Sequence, residues 1–256
     1  MMMSDEEKCR ACEGSAPVAP ENAAPGSAPA APVKKIVPSP LERAFYPVVY
    51  NTFGRLVPKK MTPNQMTLLG ALGGLFGIIC AALSRFNKWF LIGTILGLIM
   101  HIICDDLDGY IARKKHMSSN AGAFFDLLTD ILHITYLLIA LAFAGVASFE
   151  ITIFLVPVYG LLMFTAMNYI RYLNEFLFPR LGPIETHLLF IIICVLGMIF
   201  GDRVFVKWWI LELRIADFIF MIGGIAMYFE MIRLQIQLFR RLSKKDKEDK
   251  DNKDNE

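Results

Sequence analysis

Five aspartates, Asp105, Asp106, Asp108, Asp126 and Asp130, stand in the stretch CDDLDGYIARKKHMSSNAGAFFDLLTDIL, Cys104–Leu132. The runs on either side, WFLIGTILGLIMHII and HITYLLIALAFAGV, are apolar enough to lie in lipid, where charge is costly. At about 100° per residue, Asp105, Asp108, Gly109 and Ala112 share one helical face with Arg113 at its margin, while Asp106 and Leu107 point elsewhere. Gly122, Asp126 and Asp130 stack at i, i+4 and i+8 on the next helix. Two helices thus offer four carboxylates to each other, and anions crowded at a membrane boundary call for compensating cations. Ligation by carboxylates alone favours Mg²⁺, Mn²⁺ or Ca²⁺ over zinc. Gly109 and Gly122 remove side chains beside Asp108 and Asp126, opening a slot for a phosphate-bearing ligand. Arg113 adds a fixed cation, and metal, slot and arginine together suggest a diphosphate.

The elements that must position these groups follow from hydropathy. The 256 residues are 55% hydrophobic, with a mean hydropathy of +0.47, and the charges gather in blocks. The fold class expected is an all-α integral membrane protein. Apolar runs long enough to cross a bilayer as helices occur six times, near 63–83, 89–106, 123–145, 150–172, 186–201 and 209–232. The fifth is short unless it starts near Glu185, and Glu212, Arg214 and Asp217 argue for a later start to the sixth. Ahead of them, residues 41–60 carry Leu41, Phe45, Val48, Val49, Tyr50, Phe53 and Leu56 among polar residues, the pattern of an amphipathic helix lying in the interface, with Pro47 expected to kink or limit it. The six-span catalytic unit is placed at 61–242, between an Ala/Pro-rich disordered tail, 1–40, and a charged tail, 243–256.

A net charge of +2 with no basic stripe excludes nucleic acid as a partner. Lys and Arg concentrate before the first span, after the second, fourth and sixth, and so put both termini and the aspartates on the cytoplasmic side. Cys9 and Cys12 form a C-x-x-C pair in a flexible tail, a context that seldom binds metal, while Cys80, Cys104 and Cys194 serve as small apolar side chains.

Asp105-x₂-Asp108-Gly109-x₂-Ala112-Arg113-x₈-Gly122-x₃-Asp126-x₃-Asp130 resembles the complete motif of the CDP-alcohol phosphotransferase family, with no departure at a fixed position. The upstream TPNQMT, Thr62–Thr67, is similar to the stretch opening that family's first membrane helix, and the resemblance extends over residues 41 to 240. It implies that Asp105, Asp108 and Asp126, with Asp130 near the second ion, hold two divalent ions, Mg²⁺ or Mn²⁺, on the diphosphate of a CDP-linked donor. Gly109, Ala112, Arg113 and Gly122 would line the CDP pocket, and Asp130 would take the proton of the acceptor hydroxyl, with CMP leaving. A homodimer, membrane lipid as substrate or product, and a bacterial cell membrane rather than an organelle membrane are further expectations.

The acceptor is less legible. In most compact members the donor resembles CDP-diacylglycerol and the acceptor is a soluble alcohol; Arg171 and Arg180, with Lys114 and Lys115, are candidates for a phosphorylated acceptor. RLGPIETHLLFIIICVLG, Arg180–Gly197, is however similar to a segment of choline and ethanolamine phosphotransferases, so Glu185 stands either as an amino-alcohol ligand or as a residue favouring a helix N-terminus. His101 and His133 lie about a turn from Asp105 and Asp130, able to orient a carboxylate or relay a proton, or simply to hydrogen-bond within the bundle. A cation transporter would place its acids near the midplane between repeats, and an intramembrane prenyltransferase is not expected to share the glycine and arginine spacing.

Overall fold

The structure, a computed structural model, describes residues 34–36, 39–173, 175–177, 182–201, 203–208 and 211–254. The Cys9–Cys12 pair, Arg180 and residues 1–33 of the expected N-terminal tail lie outside the described residues. Seven helices run through the rest: α1 Pro40–Thr52, α2 Pro63–Leu83, α3 Phe90–Lys114, α4 Asn120–Phe143, α5 Phe149–Leu173, α6 Pro183–Phe200 and α7 Ile215–Asp254. Short strands β1 Lys34–Ile36 and β2 Glu175–Leu177 pair in parallel, and β3 Val206–Trp208 and β4 Leu211–Leu213 form an antiparallel hairpin. Helices α2 to α7 are each long and apolar enough to cross a membrane. The protein is an all-α membrane protein with six such helices.

Local chemistry sets the ends of these helices. Ser39 caps α1, accepting from the Glu42 N–H at 3.2 Å, and Pro47 lies within the helix without ending it. Val49 of α1 is buried against Cys104, Leu107 and Ile111 of α3, while Val48 of α1 and, just beyond its end, Phe53 and Leu56 stay exposed. Thr62 and Gln65 form a reciprocal capping box at the start of α2, with Pro63 at the first helical position.

Helix α2 has two unlike faces. Leu68, Leu72, Leu75, Phe76 and Ile79 are exposed toward the surroundings, whereas Gly70, Gly73, Gly74 and Gly77 are buried. The small face lets α3 come close, as small residues do between membrane helices. A Cβ on Gly97 of α3 would lie 2.5 Å from Gly77 Cα and 2.7 Å from Gly73 O. Gly97→Val is therefore expected to destabilise the fold by about 1–3 kcal/mol, lowering the midpoint of thermal unfolding in detergent. Gly160→Ala on α5, where a Cβ would meet nothing within 4 Å, should leave it unchanged or raise it; an unaltered midpoint for Gly97→Val would contradict the close crossing.

Helix α3 reaches Lys114, beyond the end at 106 set by hydropathy, and Leu107, Asp108 and Ile111 in its last two turns are buried. It ends in a Schellman turn, in which Met117 N–H donates to Ala112 O at 2.9 Å and His116 N–H to Arg113 O at 3.4 Å. His116 takes the left-handed conformation there, φ 56°, a position more often given to glycine. Ser119 then caps α4 through the Gly122 N–H at 3.0 Å, so a short reversal joins the two aspartate-bearing helices.

At the other end of the bundle, buried Asp217 accepts from the Ser148 and Arg214 backbone N–H groups, each at 2.7 Å, and from the Ser148 hydroxyl. That network and the β3–β4 hairpin, with Lys207 on Glu212 at 2.6 Å, absorb the charges between 207 and 217 and start the last helix at Ile215 rather than near 209. The same helix continues to Asp254, through the charged stretch beyond 243. Leu98 of α3, Leu137 and Leu141 of α4, Ile193 of α6 and Phe220 of α7 bury one another in the main core.

Candidate metal and substrate site

Spacing of three and four residues puts side chains on one face of a helix, and the reversal at His116 turns two such faces toward one cleft. Asp105 and Asp108 come from α3, Asp126 and Asp130 from α4. One carboxylate oxygen from each of Asp105, Asp108 and Asp126 lies within 4.8 Å of the other two. Asp130 lines the same narrow cleft together with Thr67, Gly70, Ala71, His101 and Thr129. No lysine or arginine is among the residues lining it. Asp106, on the same helix, is not among them either.

Four carboxylates in a cleft without a cation repel one another and demand positive charge. Asp108 is buried, and Asp126 Oδ1 is buried with no hydrogen-bond partner, a lone pair free to ligate. Oxygen-only donors on facing helices suit a hard divalent ion such as Mg²⁺ or Mn²⁺, so the residues present fit the group the motif implies.

Thr67 was not singled out in the sequence, yet its hydroxyl donates to a motif carboxylate. Its Oγ1 lies 2.5 Å from Asp108 Oδ2. The signal was the TPNQMT stretch, whose capping box fixes the first turn of α2 and so sets the direction of Thr67 one turn later. Thr67→Val keeps the shape and removes the donor. It is expected to lower turnover roughly tenfold to a hundredfold, the range seen for groups that orient metal ligands, with folded yield unchanged. Wild-type turnover would show that the bond is dispensable.

The remaining motif residues lie just outside the cleft lining. A Cβ on Gly109 would come 3.2 Å from Arg113 Nη1, so the guanidinium occupies the space beside that glycine. A Cβ on Gly122 would meet Asn64 Oδ1 and Ser119 Oγ, both at 3.0 Å, which makes Gly122 the point of close approach to the start of α2. Ala112 supplies the carbonyl that closes the Schellman turn. Arg113 donates to Tyr50 Oη at 3.0 Å, and Tyr50 stacks between Tyr46 and Tyr110 at 5.9 and 4.6 Å. Burial first, then the Glu42 and Asp106 carboxylates, push the Tyr46 phenol above its usual range.

The acceptor candidates are not gathered with the aspartates. Arg171 is exposed at the end of α5, over the Tyr172 ring at 5.5 Å. Lys115 donates to the Lys59 and Met61 carbonyls at 2.7 and 2.6 Å, and Lys114 to Tyr110 Oη at 3.1 Å. Glu185 accepts from Gly182 N–H at 3.0 Å and from the Ser39 hydroxyl, joining the start of α6 to the cap of α1. It also borders an apolar cavity walled by Tyr159, Leu189, Phe190 and Phe220. This cavity is larger than the aspartate cleft, but carboxylate chemistry rather than size assigns the site. His101 Nε2 lies 3.8 Å from Asp130 Oδ1, and His187, unremarked in the sequence, stacks with His101 and His133.

The model of the CDP-alcohol phosphatidyltransferase family matches residues 60–232 of the chain. The chain belongs to that family. It is a transferase of substituted phosphate groups. The matched segment opens before α2 and takes in every aspartate of the cleft, while α1 lies ahead of it. Comparison with curated proteins returned no match. A CDP-alcohol phosphatidyltransferase acts on a CDP-linked donor and an alcohol acceptor in a membrane, and the aspartate group of this chain is one that could hold a metal.

Proposed function

We propose that this protein transfers the phosphatidyl group of CDP-diacylglycerol to the hydroxyl of a soluble alcohol, releasing CMP. The observation that carries the reading is the convergence of Asp105, Asp108, Asp126 and Asp130 from two successive membrane helices on one cleft with no lysine or arginine among the described residues that line it. Asp105, Asp108 and Asp126 would hold two divalent ions, with Asp130 near the second. When bound, such ions neutralise the diphosphate and the charge that develops on departing CMP.

The chain's own groups do the rest. Thr67 holds the Asp108 carboxylate by its hydrogen bond. Arg113, fixed by Tyr50 and beside Gly109, offers a cation to a phosphate or to a cytosine carbonyl. Asp130 takes the proton of the acceptor hydroxyl as its oxygen bonds to the phosphatidyl phosphorus and the bond from that phosphorus to the CMP oxygen breaks. An ionised carboxylate meets that need because it accepts hydrogen bonds and donates none.

The distribution of Lys and Arg supports an orientation with both termini and the cleft in the cytoplasm. The exposed apolar side chains of α1 support its lying in the interface ahead of the catalytic unit, 61–242. A bacterial cell membrane and a homodimer complete the reading.

One observation favours a second reading. Glu185 borders the apolar cavity, so an enzyme moving phosphocholine or phosphoethanolamine from a CDP-aminoalcohol to diacylglycerol would find an acid beside an apolar surface. Both Glu185 oxygens already accept protein hydrogen bonds, which favours its role as a helix cap and the first reading. The test is CMP release by purified protein with labelled CDP-diacylglycerol against glycerol 3-phosphate, inositol phosphate and serine, beside a parallel reaction of CDP-choline with diacylglycerol. Product in the parallel reaction alone would overturn the first reading; no CMP in any reaction would overturn both.

A further inference from the structure

A second group of metal-ligating side chains lies beside the carboxylate cleft, shares none of its carboxylates, and meets its lining only at His101. His101 of α3, His133 of α4 and His187 of α6 come from three different helices and are 3%, 4% and 6% exposed. One ring nitrogen from each lies within 4.8 Å of the other two. The rings stack, with centroids 4.0 Å apart for His101 and His133, 5.5 Å for His101 and His187 and 5.8 Å for His133 and His187.

A buried histidine in a helical bundle ordinarily has its nitrogens satisfied. Here four of the six are buried without a hydrogen-bond partner: His101 Nδ1, both nitrogens of His133 and His187 Nε2. The other two follow a pattern. His187 Nδ1 faces the Pro183 carbonyl at 2.8 Å, and His101 Nε2 faces the Asp130 carboxylate at 3.8 Å. Metal-bound histidines characteristically turn one nitrogen to a carbonyl or carboxylate and keep the other for the ion. The two histidines that have such an oxygen in front of one nitrogen each leave the opposite nitrogen unpartnered. Gly74 gives the cluster a wall with no side chain, since a Cβ there would lie 2.8 Å from His101 Cδ2 and 3.0 Å from His133 Cε1.

We propose that His101, His133 and His187 form a separate site for one divalent transition-metal ion of the zinc type, tying α3, α4 and α6 together at the level of the cleft. Imidazole-only ligation selects ions such as Zn²⁺ or Co²⁺, whereas the neighbouring carboxylates select Mg²⁺ or Mn²⁺, so the two sites sort metals by ligand chemistry. Three histidines are a sufficient protein ligand set for zinc and leave one position open. Binding turns the stacked rings about χ2 until their lone pairs converge. His101 also lines the aspartate cleft, so the two sites share a wall. The site is independent of which alcohol the enzyme uses and of whether the proposed reaction is right.

The test is Co²⁺ binding to the full-length protein in detergent with Mg²⁺ in large excess to occupy oxygen ligands. One equivalent of Co²⁺ should bind, give visible ligand-field absorption, and be displaced by Zn²⁺. His133→Gln and His187→Gln should each weaken binding by about tenfold or more, while Asp126→Asn should leave it unchanged. Displacement of Co²⁺ by Mg²⁺, or loss of binding in Asp126→Asn with retention in both histidine variants, would overturn the proposal. Because a histidine variant can fail to fold, X-ray absorption of the wild-type protein with one equivalent of Zn²⁺ decides independently. Imidazole scatterers at roughly 2.0–2.1 Å are expected, and an all-oxygen shell, or no tightly bound Zn²⁺ at all, overturns the site.

Discussion

Asp108→Asn is expected to reduce CMP release by about a thousandfold or more in protein that still inserts and folds. Asp108 is buried, shares the ligand triangle with Asp105 and Asp126, and accepts a 2.5 Å hydrogen bond from Thr67. Asparagine keeps the shape but presents one neutral oxygen where a charged one stood. If that change removes roughly 4 kcal/mol of the several that a Lewis-acidic ion contributes to phosphoryl transfer, the rate falls about 10³-fold. Removing one of four mutually repelling carboxylates should not weaken the fold itself, so size-exclusion behaviour and thermal midpoint should match or exceed wild type. Near-normal CMP release by Asp108→Asn, measured at saturating Mg²⁺ with folding verified, would falsify the metal assignment. Asp105→Asn and Asp126→Asn should behave alike, because each supplies an oxygen to the same triangle.

Asp130→Asn should separate chemistry from donor binding. Asp130 lines the cleft but stands outside the triangle of Asp105, Asp108 and Asp126. With those three intact, CDP-donor affinity should survive largely unchanged. Turnover should fall by about 10²–10⁴-fold, the usual worth of a general base, with a small change in the donor KM. A larger loss is expected if the carboxylate also ligates the second ion. Donor titration and steady-state turnover on the same variant supply both halves of the comparison. Full activity would exclude Asp130 as the base, and loss of donor binding as complete as in Asp105→Asn would show that it acts only as a ligand.

The carboxylate site was legible because helical periodicity is a local property. Four aspartates at spacings of three and four define faces without knowledge of the rest of the chain, and the eight residues between Arg113 and Gly122 are too few to carry the second face far from the first. Hydropathy likewise marked six membrane helices, because apolar length is what a bilayer selects. It stopped α3 at 106 instead of Lys114, since a hydropathy run ends where side chains become polar, whereas backbone hydrogen bonding continues until the Schellman turn at His116.

What lay beyond the sequence depended on helices far apart in the chain. Thr67 and Asp108 are 41 residues apart, and Ser39 and Glu185 are 146 apart, so no spacing rule links them. Glu185 was open between an amino-alcohol ligand and a helix N-terminal residue; its Oε2 accepts locally from the Gly182 N–H, and packing of α1 against the start of α6 adds the Ser39 hydroxyl on Oε1.

Residue types and their local period therefore determined the family motif, the four carboxylates and the six apolar helices, because each is written within a few turns of chain. Tertiary structure alone decided that Thr67 steadies Asp108, that the Ser39 hydroxyl reaches Glu185, and that His101, His133 and His187 share one buried stack. The physical reason is the packing of α2 and α6 on the α3–α4 pair, through the glycines of α2 and through side chains spread over the length of the sequence, which brings together groups that no periodicity relates.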